Sequence, residues 1–190
     1  MREQGTKIVR RCAGLGLAGA LAIMLAACAA SPGSVNVAAT QTVPVDRQLA
    51  LSSINAFRAQ NGLQALRFNT LLDKAAERQA RAMAARGDLS HSVDGDLPSR
   101  VKAYGYQVNA AAENIGWNYR STPAVITGWK NSSGHRKNLL NPRVTEIGFA
   151  AAMGANGEPY WALILGAADE RPMPAAINAA PGRSIPFPLR

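Results

Sequence analysis

Cysteine and histidine are scarce in this sequence, with two of each in 190 residues. Cys12 lies inside an N-terminal targeting segment and Cys28 at its end, so neither is available for a disulfide within a mature domain. That excludes a disulfide-stapled scaffold, and stability must come from a buried core. Roughly 120 folded residues suffice for one. Aromatic residues make up 6% and charged residues 17% of the chain. The arginines are scattered along helical stretches rather than interleaved with aromatics, and none of the usual nucleic-acid-binding motifs occurs, so no nucleic-acid partner is indicated. No internal repeat is evident.

What is present begins with a targeting segment. Arg2, Lys7, Arg10 and Arg11 form a positive region, and Cys12 to Ala27 is uncharged, mostly apolar and too short for a comfortable transmembrane helix. Leu25-Ala26-Ala27-Cys28 is similar to a bacterial lipobox. The similarity implies removal of residues 1–27 as a lipoprotein signal peptide and lipidation of Cys28. A simple secretory peptide cut near Ala27 or Ala30 is the alternative. Arg10-Arg11 lacks the rest of a twin-arginine pattern. Ala29 after the cysteine, rather than aspartate, suits an outer-membrane destination in a Gram-negative source. Cleavage leaves 17 basic and 11 acidic residues, lowering the formal charge from +9 to +6. That excess favours anionic surfaces, although ordinary solubility accounts for it as well.

Residues 28–44 lack helical or strand periodicity and read as a flexible tether. From Asp46, Leu49 or Ala50, Ile54 and Phe57 recur at helical spacing, with Asn61-Gly62 as the stop. Asn69 is placed to cap a second helix, with Leu72, Ala76, Ala80 and Met83 on one face and Gly87 at its end. Its many alanines suggest close approach to a neighbouring layer. Asp96 and Pro98 open a short third helix, Gln107–Ala112 reads as a strand leading into Glu113, and Ser121 and Pro123 open a fourth helix. Two apolar runs, Thr145–Met153 and Tyr160–Leu165, flank Asn156-Gly157, a strong hairpin signal. Residues 169–190 contain repeated prolines and read as a disordered tail. Helices early and a small antiparallel sheet late give an α+β class for the domain at 45–168.

The ordered set of short motifs resembles the CAP superfamily, the fold of cysteine-rich secretory proteins, venom antigens and plant pathogenesis-related proteins. The likeness is greatest to its short bacterial branch. It rests on Ile54-Asn55-Ala56-Phe57-Arg58, Leu89-Ser90-His91-Ser92, Glu113-Asn114-Ile115-Gly116, Gly128-Trp129, Gly134-His135-Arg136-Lys137-Asn138-Leu139-Leu140 and Thr145-Glu146-Ile147-Gly148, in family order. The resemblance implies a three-layer α-β-α sandwich with a small central antiparallel sheet and a cleft. His91 and His135 match the cleft histidines and Glu113 matches one cleft acid. The second acid position is Ser132 here, which puts any two-carboxylate mechanism in doubt. Several members bind a divalent metal such as zinc in this cleft.

His91 and His135 are also the only histidines, and with Glu113 they supply three side chains of the kind that ligate zinc. The alternative is a hydrogen-bonded polar cluster with no metal. Glu113 is the one candidate general base, and equally a structural carboxylate, because an acid in the apolar run Ala110–Ala112 needs partners to stay ionised and buried. Asn114 is expected to anchor a turn, and Arg136 either to pair with Glu146 at the cleft rim or to stand solvated. Trp117, Trp129 and Trp161 are expected in the core, with a ligand platform as the alternative. Ser132 and Ser133 have no accompanying oxyanion hole or third member, so a serine nucleophile is not indicated.

The leading reading is a non-enzymatic, lipid-anchored module of the cell envelope that binds a small ligand or divalent metal. The alternatives are a metal-assisted, peptidase-like hydrolase and a lipid- or sterol-binding protein. Replacing Cys28 by serine is expected to release the protein from membranes or to block its processing. A variant that fractionates with the envelope and is processed like the parent would contradict lipidation there.

Overall fold

The computed structural model describes residues 35–169. The expected signal peptide, the lipidation site Cys28 and the proline-rich tail from residue 170 lie outside the described residues. Among the described residues five helices and five strands follow one another, and four of the helix starts have a local cause. Helix α1 (Arg47–Gln60) starts at Asp46, whose side chain accepts from the Leu49 amide at 2.9 Å. Helix α2 (Thr70–Arg86) is capped by Asn69 and ends at Gly87 in the left-handed region, φ 63°. Helix α3 (Leu97–Ala103) begins at Asp96, which accepts from Ser99 N at 2.8 Å. Ser121 caps α4 (Thr122–Asn131), and α5 (Ser133–Leu139) follows directly. At each of the four capped starts a short polar side chain occupies an otherwise unpaired amide of the first turn.

The strands are β1 (Gln41–Val43), β2 (Arg67–Phe68), β3 (Val108–Trp117), β4 (Glu146–Met153) and β5 (Pro159–Ala168). They form one sheet in the order β1-β4-β5-β3, with β2 also on β4. Pairing is antiparallel except for the two-residue β2–β4 contact. The expected hairpin is present: β4 and β5 turn back around Asn156-Gly157, with Gly157 at φ 73°.

Two segments differ from expectation. Residues 41–43, placed in a flexible tether, pair with Ala151–Met153 of β4 instead, and Arg81 bonds Thr40 Oγ1 and Val37 O at 3.0 Å each. Three residues are too few to show a period of two, so pairing with β4 decides their state. The strand expected at Gln107–Ala112 continues to Trp117, because β5 supplies partners along its length, Glu113 opposite Ile164 and Trp117 opposite Tyr160. Glu113 and Asn114 therefore sit inside a strand rather than after one.

Alternation along β4 and β5 divides the core in two. Ile147, Phe149 and Ala151 with Trp161, Leu163 and Leu165 face α1, α4 and α5. Ala150, Ala152, Tyr160, Ala162 and Ile164 face α2 and α3. With both faces covered, β4 and β5 are buried almost throughout. The α-β-α sandwich follows from sheet strands that bury both surfaces.

The α2 layer sits unusually near the sheet, as its alanines suggested. A Cβ added at Gly148 would fall 2.1 Å from the Leu72 carbonyl carbon. Asp73, in the first turn of α2, accepts from Phe149 N at 3.1 Å and forms a two-pronged pair with Arg47 at 2.8 Å. Gly148→Ala must push helix from strand, and a loss of at least about 2 kcal/mol in urea unfolding is expected. An unchanged midpoint would mean that the helix can slide at no cost.

Candidate functional site

Strand β3 is an edge of the sheet. By the same alternation Glu113, Ile115 and Trp117 face α2 and α3, whereas Ala112 and Asn114 face the other layer. The two helical layers thus meet around this edge, and each delivers one histidine.

On the α2–α3 side, Glu113 is 5% exposed. Its Oε1 lies 2.8 Å from His91 Nδ1, and its Oε2 accepts from Arg100 Nη2. Arg100, itself 4% exposed, also donates through Nη1 to His91 O at 2.8 Å and Gly95 O at 2.6 Å. Gln79 of α2, fully buried, donates to Ser90 O at 2.7 Å. The loop carrying His91 is therefore tied at successive carbonyls, while the His91 side chain keeps 61% of its surface exposed. Its Nδ1 faces a carboxylate and its Nε2 edge is turned to the outside, an arrangement that fixes tautomer and ring orientation.

On the other side His135 belongs to α5. Asn114 Nδ2 donates to His135 O at 3.1 Å, and Asn138 Nδ2 donates to Glu113 O at 3.0 Å and Asn114 Oδ1 at 2.9 Å. Trp129 of α4 is buried, with its ring 6.3 Å from that of His135, and its Nε1 donates to Ile115 O at 3.0 Å. Burial lowers the basicity of His135, and the charge of His91 lowers it further.

Several expected roles change. Asn114 anchors no turn: it lies in β3 and ties that strand to α5. Of the two expectations for Arg136, solvation holds and pairing with Glu146 does not: Arg136 is exposed. Arg136 Nη1 reaches Lys130 O at 3.3 Å. Glu146 is buried and takes Tyr106 Oη at 2.8 Å, Asn69 Nδ2 at 3.1 Å and Arg67 at 2.9 Å. The cause is β4 register, which sets Glu146 at the β2 end of the strand opposite Gly166. Burial, and then the bond to Glu146, raise the Tyr106 pKa. Ser132 closes α4 and opens α5 with no side-chain capping bond. Trp129 and Trp161 are core residues as expected, but Trp117 is 45% exposed.

Arg100 was not foreseen. The need of Glu113 for a cation was legible, but nothing in a 13-residue separation distinguishes Arg100 from Lys102. Asn138 and Gln79 likewise carry no local signal, because their partners are backbone carbonyls of other segments.

A metal fits this donor set only in part. Both Glu113 oxygens are engaged, so Glu113 stands behind His91 rather than beside it as a ligand. Among the described residues no group of three His, Cys, Asp or Glu side chains is disposed to hold an ion. His91 and His135 alone would leave the rest of an ion's coordination to solvent.

The family model for the cysteine-rich secretory protein family, CAP, matches residues 51–165. The chain belongs to this family. The uncharacterized Bacillus subtilis protein YkwD is 34% identical over 96 residues, covering 50% of this chain and 37% of its own length. The CAP chain thus spans little more than a third of that curated relative. Among solved structures, an extracellular protein containing an SCP domain from Bacillus anthracis aligns at 26% identity and TM-score 0.56, over 63% of this chain and 39% of that one. An outer surface protein from Borrelia burgdorferi shares the fold at 20% identity and TM-score 0.62, covering 68% of this chain and 98% of its own.

With only two histidines in the CAP chain, a proton NMR titration resolves each. His135 is expected to titrate below the ordinary histidine value of about 6.5, and His91→Ala should move it upward by removing a neighbouring charge. A His135 midpoint unmoved by that substitution would mean the rings do not sense each other.

Proposed function

We propose that this CAP domain is a lipid-tethered binding module of the cell envelope, acting outside the cytoplasm, with His91 and His135 as its recognition groups for a divalent cation or a small polar ligand. The observation that carries the reading is the 2.8 Å contact between Glu113 Oε1 and His91 Nδ1, backed by Arg100. A carboxylate holding one imidazole nitrogen leaves the other presented outward as a lone pair when Nδ1 keeps the proton. His135, less basic because of burial, offers a second neutral imidazole at neutral pH. Both features favour coordination or hydrogen-bond acceptance at the edge of β3.

The same geometry favours binding over hydrolysis. A general base needs an oxygen directed at the water it would deprotonate, and both oxygens of Glu113 point to nitrogen donors of its own chain. Ser132 stands where a second carboxylate would be required. A divalent ion on the two histidines would supply Lewis acidity to a bound ligand; His91, Glu113 and Arg100 would orient it and keep the carboxylate charge compensated. The extracellular assignment draws support from the targeting segment, and the Bacillus anthracis relative is described as extracellular.

Titration calorimetry with zinc tests the site. One binding event is expected at neutral pH, weakening as the pH drops through the histidine range because protons compete for the ring nitrogens. His91→Ala and His135→Ala should each weaken it by more than about tenfold, whereas Ser132→Ala should change little. Equal affinity in the parent and the double-histidine variant would reduce the cluster to a structural one.

A further inference from the structure

The two large hydrophobic side chains that stand exposed among the described residues, Leu89 at 46% and Trp117 at 45%, line the same cavity. It measures about 250 Å³ and is completed by Gly87, Asn156, Glu158 and Tyr160. Three elements meet there: the end of α2, the last residue of β3 and the β4–β5 turn. Nothing in the cleft chemistry of His91 and His135 uses them.

The cavity is built rather than incidental. The indole of Trp117 is fixed by its Nε1, which donates to Glu158 Oε2 at 3.0 Å. Glu158 is fixed in turn by Asn156, whose Nδ2 donates to the same oxygen and whose Oδ1 accepts from Glu158 N at 3.1 Å. Glu158 Oε1 accepts no hydrogen bond among the described residues. Tyr160, opposite Trp117 in the sheet and only 2% exposed, makes no side-chain hydrogen bond among them either. Its hydroxyl is aimed at Gly87, where even an added Cβ would lie 3.9 Å away. The hydroxyl is not among the enclosed polar atoms that lack a partner, so it opens onto the cavity, where water or a ligand can meet it.

We infer that this cavity is a saccharide-binding site that stacks one pyranose ring on Trp117. A pyranose has an apolar face of C–H groups and a rim of hydroxyls that both donate and accept. A flat indole held in plane by its own N–H suits the face. Glu158 Oε1 accepts a hydrogen bond from one hydroxyl, and Tyr160 Oη forms another with a second hydroxyl. The volume lies below that of pockets for drug-sized ligands and suits a single ring, with the rest of an oligosaccharide over the surface. An organic cation fits less well. It would find one aromatic face rather than a cage, and a quaternary ammonium would leave the Tyr160 hydroxyl unpaired. The site is independent of any ion at His91.

The test is a titration of the full-length protein with the β-1,4 tetramers of N-acetylglucosamine and of glucose, followed through the indole N–H resonances. The Trp117 resonance is expected to shift saturably with at least one tetramer, while those of the buried Trp129 and Trp161 stay. Trp117→Ala, which removes an exposed side chain, should weaken binding by about tenfold or more with an unchanged melting temperature. Tyr160→Phe and Glu158→Gln should each weaken it severalfold, and His91→Ala should bind as the parent does. Silence of the Trp117 resonance with both tetramers up to ~10 mM would overturn the inference. So would undiminished binding by Trp117→Ala, or saturation by tetramethylammonium where both sugars fail.

Discussion

Glu113 sits on an edge strand with almost no solvent-exposed surface, and a charge in that position is tolerable only if another is buried with it. Arg100 is that charge. Its guanidinium spans the Glu113 carboxylate and the carbonyls of His91 and Gly95, so a single side chain sets strand, helix and loop against one another. The loop from Ser90 to Gly95 and the orientation of His91 both depend on this pair. Truncating either partner would strand the other, at about 3–5 kcal/mol for a buried ion pair. Among the described residues Arg100 Nε has no partner, so its burial is compensated through the two Nη atoms.

The second buried arginine solves a different problem. Arg58 of α1 has no carboxylate within reach among the described residues, and burial lowers its pKa. It donates to the carbonyls of Gln64, Leu139, Asn141 and Val144, at 2.8, 2.8, 3.0 and 3.4 Å. These carbonyls belong to the turn after α1, the last residue of α5 and the chain beyond it, where regular ladder partners run out. Arg100 and Arg58 thus stitch irregular backbone on opposite faces of one sheet, the first through a charge pair and the second through peptide dipoles. A planar fork with five donors suits both tasks better than a lysine.

Placement at the sheet edge then decides what the site can do. A histidine from either helical layer could not meet the other through the sheet, but around β3 the two layers come together. The carboxylate orders His91, and the amides of Asn114 and Asn138 order the α5 backbone that bears His135. Further along the same face of β3, Trp117 closes a cavity of different chemistry. One strand thus carries the ion-pair, imidazole-orienting and indole groups at residues 113–117.

Helix boundaries were legible because they are local: Asp46, Asn69, Asp96 and Ser121 cap, and Gly87 stops, within a turn of the bonds they make. The β4–β5 hairpin was legible for the same reason, through Asn156-Gly157 between apolar runs. The resemblance carried His91, Glu113 and His135 to the neighbourhood of one strand. What stayed hidden was every partnership across long separations. Arg100 with Glu113, Glu146 with Tyr106 and Arg67 rather than Arg136, and the pairing of Gln41–Val43 with β4 all depend on strand register and layer packing. So does the exposure of Trp117, an ordinary core residue by composition that lies at the end of β3, where covering helices run out. Spacing along a chain reports contacts within a few residues, because only there does the backbone geometry fix distance. The sequence by itself determined the elements, the capping residues and the need of one buried acid for a cation; only the tertiary structure decided which cation answered it, because that choice is made by the packing of two layers around a sheet edge.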